Sequence, residues 1–221
     1  MKGVRECMSV ARLLQKCLQQ IGRVPFTLTM LIGISIAGYL TGTPTSTINP
    51  VQLKRWGFAL HDLWQGTWYS LVTEVFFTTH PSMFWGILGL VIGSIGLYEW
   101  QAGTGRSLRL YWLTDIVGSL LVTLGFVLPL YLAKTPLGLA LAFDDDVGMS
   151  GGGFGCVGGW VHRLPQVWRR RVFVGVLVYL VGHLIIVTDL FSDILHIVTF
   201  FLGFWLDGQL PASPTSKTPN L

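Results

Sequence analysis

The chain has 221 residues, of which 51% are hydrophobic and only 12% charged, with a mean hydropathy of +0.58 and a formal net charge of +4. These totals alone do not separate a soluble protein from a membrane protein, but the distribution of charge does. Uncharged runs cover residues 24–53, 75–98, 116–133, 147–162, 172–188 and 194–206. A membrane-spanning helix needs ~20 mostly apolar residues, so we predict six spans, some of them short or tilted. We reject a soluble helical bundle, because its helices would carry polar stripes on their outer faces.

The amino-terminal segment, residues 1–23, is predicted to be a cytoplasmic amphipathic helix on the membrane surface. Its basic residues are Lys2, Arg5, Arg12, Lys16 and Arg23. Apolar residues at near-helical spacing separate them, as in interfacial helices. No small-x-small cleavage site clearly follows the first apolar run, so we expect a retained anchor rather than a signal peptide. Residues 24–208 would form the membrane domain and the Pro-, Ser- and Thr-rich residues 209–221 a disordered tail.

The basic residues also predict the orientation of the spans, because Lys and Arg flanks stay on the cytoplasmic side. With the amino terminus inside, 12 of the 15 Lys and Arg residues lie on that side, and only Lys54, Arg55 and Lys134 remain outside. We therefore predict six transmembrane helices with both termini cytoplasmic. The acidic residues 144–146 then mark the outer surface.

This topology brings a serine and a histidine to one depth below the outer face. Ser150 follows Asp146 at the outer end of the fourth span and should lie ~6 Å below that residue. His196 follows Asp193 at the outer end of the sixth span, at a depth of ~5 Å. Ionisable side chains within spans are costly and therefore candidates for function. We predict that Ser150 and His196 lie within hydrogen-bond reach, ~3 Å, as nucleophile and base. Asp193 is a speculative partner that would orient His196.

Both residues also have purely structural explanations. Ser150 lies in a glycine-rich run in which Gly151, Gly155 and Gly159 repeat at the small-xxx-small spacing of closely packed helices. A histidine within a span can simply hydrogen-bond a neighbouring helix, and His196 shares this alternative with His183. We expect the fourth and sixth spans to pack through small residues, including Thr199 and Gly203 on the sixth span.

Residues 148–152 also fit G-x-S-x-G, the nucleophile elbow of soluble α/β-hydrolases. That motif requires a strand before the serine and a parallel sheet around it. An acidic loop precedes Ser150, and no alternation of strands and helices surrounds it, so we reject the elbow.

Three short motifs occur in a consistent order and on consistent sides of the membrane. Residues 99–106, EWQAGTGR, closely resemble the pattern E-x-x-x-G-S-G-[KR], and residues 148–151, GMSG, follow G-x-S-G. His196, Thr199 and Gly203 follow H-x-x-G-x-x-x-G, with threonine in place of the first glycine. Together these motifs resemble the rhomboid family of intramembrane serine proteases.

The resemblance covers roughly residues 60–208 and implies a rhomboid-like helical bundle with a catalytic pair. The serine of G-x-S-G, Ser150, would be the nucleophile and His196 the general base. Backbone N–H groups near the serine would bind the oxyanion, and the residues concerned are Gly148, Met149 and Gly151.

The chain departs from the family where active members bind the oxyanion with side chains. Residues 68–76 resemble the W-R-x-x-T-x-x-F stretch that leads into the second span, with Tyr69 in place of the arginine. The register from that stretch puts Met83 and Ile87 where active rhomboids carry a histidine and an asparagine. His80 is the nearest polar residue, but it lies about one turn too early.

We therefore expect an intramembrane serine protease that cuts transmembrane proteins near the outer membrane face. A rhomboid-like pseudoprotease that grips transmembrane helices without cutting them is the alternative. A transporter is less favoured, with Asp115 and His183 as its only hints. Cys7, Cys17 and Cys156 show no metal-like spacing, so no metal or cofactor is expected. The expected partners are transmembrane substrates and lipid, not nucleic acid, in the plasma (inner) membrane of a bacterium.

Overall fold

The structure, a computed structural model, describes residues 22–186 and 189–211 of the chain. These residues are mostly helical and form no β-strand, only one isolated antiparallel bridge between Phe58 and Asp146. The all-α prediction is therefore confirmed for this part of the chain. The predicted surface helix 1–23 and tail 209–221 fall almost entirely outside the described residues.

The helices follow one another with short connections. In chain order they are α1 (Pro25–Thr41), α2 (Pro50–Trp56), α3 (Leu60–Gln65), α4 (Ser70–Thr73), α5 (Pro81–Ala102), α6 (Thr104–Leu132), α7 (Pro136–Leu141), α8 (Ser150–Arg163), α9 (Gln166–Ile186) and α10 (Leu190–Gln209). Helices α1, α2, α5 and α7 each begin with proline. Proline suits this position because its fixed φ is already helical and the first amide of a helix has no partner to lose.

Among the residues that the structure describes, three helices are long and apolar enough to cross a membrane, namely α5 with 22 residues, α6 with 29 and α10 with 20. Helix α1 is a shorter apolar helix of 17 residues. The other two predicted spans correspond to α8, which has 14 residues, and α9, whose 21 residues include Arg169, Arg170 and Arg171. The chain thus has the long apolar helices of a membrane protein, and the number of six spans stays a prediction.

Large apolar side chains cover much of the outer surface of these helices. Tyr39 on α1 is 87% exposed, Ile92 on α5 59% and Ile185 on α9 72%. Soluble monomers rarely present apolar surface on this scale, whereas a bilayer solvates it.

A buried carboxylate fastens α1 to α5. Glu99 accepts hydrogen bonds from the amides of Phe26 and Thr27 at 2.9 and 2.8 Å, and from the Thr27 hydroxyl at 2.7 Å. These amides belong to the first turn of α1, which has no partners for them within the helix. Glu99 therefore serves as the cap that α1 lacks in its own sequence.

A second buried carboxylate joins α6, α8 and α10 at the end of the bundle away from Ser150. Asp207 Oδ1 accepts hydrogen bonds from Nε of Arg106 at 3.0 Å, from Nε of Arg163 at 3.1 Å and from the Tyr98 hydroxyl at 2.5 Å. Asp207 is only 3% exposed, so its charge depends on these partners.

Helix α8 packs at the centre of the bundle because its glycines let other helices approach its backbone. A Cβ on Gly203 of α10 would lie 1.9 Å from the Gly155 carbonyl oxygen, and one on Gly155 would lie 2.0 Å from Thr114 Oγ1 of α6. The predicted contact between the fourth and sixth spans therefore exists at Gly155 and Gly203. Thr199 differs from the prediction, because its methyl group packs against Gly118 of α6.

Candidate functional site

Ser150 is the first residue of α8, and a glycine shapes the backbone before it. Gly148 has a φ of +122, a conformation that glycine adopts far more readily than other residues. Its amide donates a 3.0 Å hydrogen bond to the Glu74 carbonyl, and a Cβ there would lie 2.8 Å from Cε of Met83. Because the helix begins at Ser150, the helical rise used to predict its depth below Asp146 does not apply. Ser150 instead lies at a helix amino terminus.

Ser150 and His196 line one cavity with a volume of about 570 Å³. Its wall also includes side chains from α5, from the acidic loop, from α9 and from the start of α10, among them Met83, Ile87, Asp146, His183 and Ser192. The two residues singled out from the sequence, on α8 and α10, therefore face a common space.

The ring of His196 is held by an aromatic neighbour rather than by a hydrogen bond to the serine. Its centroid lies 4.5 Å from that of Phe154, which is one turn after Ser150 on α8. His196 Nε2 is buried and has no hydrogen-bond partner within the described residues. The predicted hydrogen bond between Ser150 and His196 is therefore not formed. In enzymes without bound substrate, such contacts are often longer than in the reacting complex.

Asp193 does not orient His196, contrary to the speculation from sequence. Its Oδ1 accepts a 2.6 Å hydrogen bond from Nδ1 of His183 on α9. The side chain of Asp193 is 1% exposed and that of His183 35% exposed, so the pair has one buried end and one end near the cavity. The predicted base, His196, is thus separate from the His183–Asp193 pair that joins α9 to α10.

Some backbone amides near Ser150 already donate hydrogen bonds within the protein, and others do not. The Gly148 amide is bound to Glu74, so it is not free to donate to an oxyanion, contrary to the prediction. The Gly152 amide donates a 2.8 Å hydrogen bond to Asp115 Oδ1 of α6. The amides of Met149, Ser150 and Gly151 make no hydrogen bond within the described part of the chain and remain available.

Met83 and Ile87, which the sequence register predicts at the oxyanion-donor positions, both line the cavity. Met83 Sδ accepts weak hydrogen bonds from the amide and hydroxyl of Thr79 at 3.3 and 3.2 Å, and neither it nor Ile87 brings a hydrogen-bond donor. His80 caps α5 instead, since its Nδ1 accepts from the Met83 amide at 3.2 Å. The α5 wall of the cavity therefore offers no side-chain substitute at these two positions for an oxyanion donor.

The carboxylates of the acidic loop line one side of the cavity. Burial, together with the nearby Asp189, raises the pKa of Asp146 to about 7. Asp146 Oδ1 accepts a 3.3 Å hydrogen bond from Ser192 at the start of α10. Burial also raises the pKa of the neighbouring Asp145. This side of the cavity consequently carries less negative charge near neutral pH than its number of aspartates indicates.

The chemistry that these groups support is nucleophilic. A serine hydroxyl at a helix amino terminus faces a positive backbone potential, and a histidine in the same cavity can accept its proton.

One group of three residues in the described part of the chain could hold a metal ion, at His61, Asp62 and Asp145. Of these three, only Asp145 lines the cavity.

Sequence reasoning missed two neighbours of the catalytic candidates. Phe154 follows Ser150 by one helical turn, and a single large aromatic residue in a glycine run was a usable signal. Asp115 was noted only as a hint of transport, but it binds the amide of Gly152 at the start of α8. Only the packing of α6 against α8 reveals that contact.

Comparison of the chain with protein-family models, curated proteins and solved structures found no match.

Proposed function

We propose that this chain is an intramembrane serine protease of the rhomboid type, which cleaves transmembrane proteins near the outer membrane face. The observation that carries the proposal is the shared cavity of Ser150 and His196, with Ser150 at the amino terminus of α8. The nucleophile is the first residue of α8, and the base lies within the first two turns of α10. The acidic loop contacts the start of α10 through the hydrogen bond between Ser192 and Asp146. This arrangement suits attack on a peptide bond that enters from the membrane surface.

The reaction is acyl transfer in two steps. Ser150 Oγ attacks the carbonyl carbon of the scissile peptide while His196 accepts the hydroxyl proton. The tetrahedral intermediate collapses, the C–N bond breaks, and His196 returns the proton to the leaving amine. A water molecule then gives up a proton to His196 and attacks the acyl carbon, the bond to Ser150 Oγ breaks, and His196 returns the proton to Oγ as the carboxylic acid is released.

The oxyanion of each intermediate would be bound by backbone N–H groups. Met149, Ser150 and Gly151 have free amides at the start of α8, where the helix dipole adds positive potential. No side-chain donor comes from Met83 or Ile87. Since each such donor is typically worth ~10²- to 10³-fold in rate, we expect a slow enzyme.

In the membrane we propose six spans, formed by α1, α5, α6, α8, α9 and α10, with both termini cytoplasmic. The three long apolar helices and the exposed apolar side chains of α1 and α9 support this arrangement. Helix α8 is the shortest of the six, and it is also enclosed by α6 and α10, so protein rather than lipid surrounds it. The bilayer would be the plasma (inner) membrane of a bacterium, and the partners lipid and transmembrane substrates.

A second candidate function, a pseudoprotease that binds transmembrane helices without cleaving them, is favoured by two observations. Met83 and Ile87 occupy the cavity wall without a donor, and His196 forms no hydrogen bond to Ser150. A transporter has weaker support, because Asp115 and His183 are both engaged in hydrogen bonds, with Gly152 and Asp193.

The deciding experiment uses purified full-length chain in liposomes with a helix-destabilised transmembrane substrate. We expect slow cleavage that is lost in Ser150→Ala and in His196→Ala, and Ser150-dependent labelling by a fluorophosphonate. Cleavage that persists in Ser150→Ala would contradict the serine mechanism. Absence of both cleavage and labelling would favour the pseudoprotease.

A further inference from the structure

Three side chains with metal-binding atoms converge at one point, and one of them, Asp145, also lines the cavity. His61 and Asp62 belong to α3, and Asp145 belongs to the acidic loop that precedes α8. One ligand atom from each of the three lies within 4.8 Å of the other two. Such a group is more than an acidic cluster, because it combines an imidazole with two carboxylates.

His61 contributes a buried nitrogen that has nothing to bind. The residue is 3% exposed, and its Nδ1 is buried without a hydrogen-bond partner in the described part of the chain. Its Nε2 lies 3.8 Å from Asp62 Oδ1, beyond hydrogen-bond length. The ring stacks on Phe143 with centroids 5.5 Å apart, which holds it in place. A buried polar atom without a partner costs about 1–3 kcal/mol, so the His61 ring is held in a position where it makes no hydrogen bond of its own within the described residues.

Asp145 contributes a second atom of this kind. Its Oδ1 is buried and has no partner among the described residues. The two unsatisfied atoms, an imidazole nitrogen and a carboxylate oxygen, therefore belong to the same three-residue group. A cation held by the group would bind one ring nitrogen of His61 and the carboxylates of Asp62 and Asp145.

Asp62 is already oriented toward this point by its own neighbours. Its Oδ2 accepts a 2.9 Å hydrogen bond from the Ala59 amide, and its Oδ1 accepts one from the Thr67 hydroxyl. A carboxylate oxygen has more than one lone pair, so both contacts can persist when an ion binds. Hydrogen bonds of this type commonly fix the direction of metal-ligating carboxylates.

The backbone brings the acidic loop to α3 independently of these side chains. Phe58 and Asp146 exchange two backbone hydrogen bonds of 2.9 and 3.0 Å. Gly57 lets the loop approach, because a Cβ there would lie 2.9 Å from Cβ of Asp145. The amide of His61 also donates a 3.2 Å hydrogen bond to the carbonyl of Ala142. The convergence of the three side chains thus follows from backbone contacts on both sides of the group.

We propose that His61, Asp62 and Asp145 bind one divalent transition-metal ion, with zinc the best match. Imidazole and carboxylate ligands together suit zinc, whereas calcium and magnesium take oxygen ligands. Zinc bonds of ~2.0–2.2 Å place tetrahedral ligand atoms roughly 3.3–3.5 Å apart. The ligand atoms now lie within 4.8 Å of one another, so they would have to move closer together when the ion binds. Two carboxylates and a neutral imidazole carry the charge that a divalent ion balances.

Such an ion would link α3 to the loop that leads into Ser150. Binding to the folded state alone stabilises a protein in proportion to the logarithm of the free ion concentration. The ion therefore stabilises the contact between α3 and the acidic loop. Its binding does not depend on whether Ser150 cleaves a substrate.

The test uses full-length chain in detergent, carrying Cys7→Ser and Cys17→Ser to remove thiols that bind zinc, and free of any histidine tag. After treatment with a chelator, the protein is titrated with Zn²⁺ by calorimetry and with Co²⁺ by visible absorption. We expect one ion per chain, tetrahedral Co²⁺ bands and a higher unfolding temperature with zinc. His61→Gln and Asp145→Asn should each weaken binding by more than the ~10- to 100-fold that loss of an outer-shell partner costs.

Matched controls are Asp144→Asn and His80→Ala, which remove an exposed acid and an exposed histidine outside the group. Both should keep wild-type zinc affinity. Equal zinc binding by wild type, His61→Gln and Asp145→Asn would overturn the site, as would no binding at all. Calcium binding without zinc binding would also overturn it, because histidine would then play no part. If His61→Gln fails to fold, the zinc affinity of Asp145→Asn tests the site. Asp145 is partly exposed and outside any helix, so its substitution should not prevent folding.

Discussion

His183 Nδ1 donates a 2.6 Å hydrogen bond to Asp193 Oδ1, which joins α9 to α10 beside the cavity that Ser150 and His196 line. A histidine whose Nδ1 is bound to a buried carboxylate has the geometry of the base in a serine protease triad. His196, in contrast, is held by the ring of Phe154. The cavity therefore contains two histidines in different electrostatic settings, and they can be told apart by mutation.

The first prediction assigns the base. We expect His196→Ala to abolish Ser150-dependent cleavage, because His196 is the proposed base and shares the cavity with Ser150. Asp193→Asn should lower the rate by no more than about 10-fold, since its partner His183 is not the proposed base. Initial rates on a transmembrane substrate measure both. A loss of about 10⁴-fold in Asp193→Asn, as in a triad aspartate, with activity retained in His196→Ala, would move the base to His183.

The second prediction concerns the missing oxyanion donor. Ile87→Asn places an amide on the cavity wall, and we expect it to raise the rate by up to ~10²-fold. Ile87→Leu is the matched control, because it changes the shape of the wall but adds no donor. The comparison uses kcat with a fixed substrate, and equal rates for the two variants would show that residue 87 does not face the oxyanion.

The third prediction concerns packing between α8 and α10. Gly203→Ala puts a Cβ 1.9 Å from the Gly155 carbonyl oxygen, so a helix must move. We expect a loss of about 1–3 kcal/mol or more in the free energy of unfolding. Gly175→Ala on α9 meets nothing within 4 Å and should leave stability unchanged or slightly higher. Tryptophan fluorescence during thermal unfolding in detergent compares the two variants, and equal destabilisation would refute the close contact.

The fourth prediction concerns the buried charge network at the opposite end. Asp207→Asn leaves the guanidinium groups of Arg106 and Arg163 without their carboxylate, which should cost about 3–5 kcal/mol. Asp144→Asn, on the exposed acidic loop, removes the same charge from solvent and should change stability little. Their unfolding temperatures in one detergent give the test. A small effect of Asp207→Asn would mean that water reaches this network.

The fifth prediction tests the orientation. Single cysteines at Asp144 and Gln166, both exposed, lie at opposite ends of α8. In a background without native cysteines, an impermeant thiol reagent added outside intact cells should label only the residue-144 variant, because Lys and Arg flanks stay cytoplasmic. Labelling only at residue 166 would invert the placement of the cavity.

Much of the fold and part of the site followed from the sequence because they depend on local chemistry. Long apolar runs can satisfy their backbone in a bilayer only as helices, so composition predicts an all-helical membrane protein. The helical positions of Ser150 and His196 follow from the same segmentation. The predicted boundary of α8 was less accurate, because the helix begins only at Ser150, after Gly148 with its positive φ, whereas counting from Asp146 assumed a helix there already.

Only the tertiary structure decided which partner each polar side chain meets. Asp193 lies one turn from His196 in sequence, yet its carboxylate points to His183 of another helix. His61 and Asp145 are far apart in the chain, and only the backbone contacts between their segments bring them together. A side chain's hydrogen-bond partner depends on how helices are rotated and packed against one another, and no short window of sequence contains that information. Segment length and polarity, in contrast, are properties of each window by itself, which is why the sequence determined the helices but not their polar contacts.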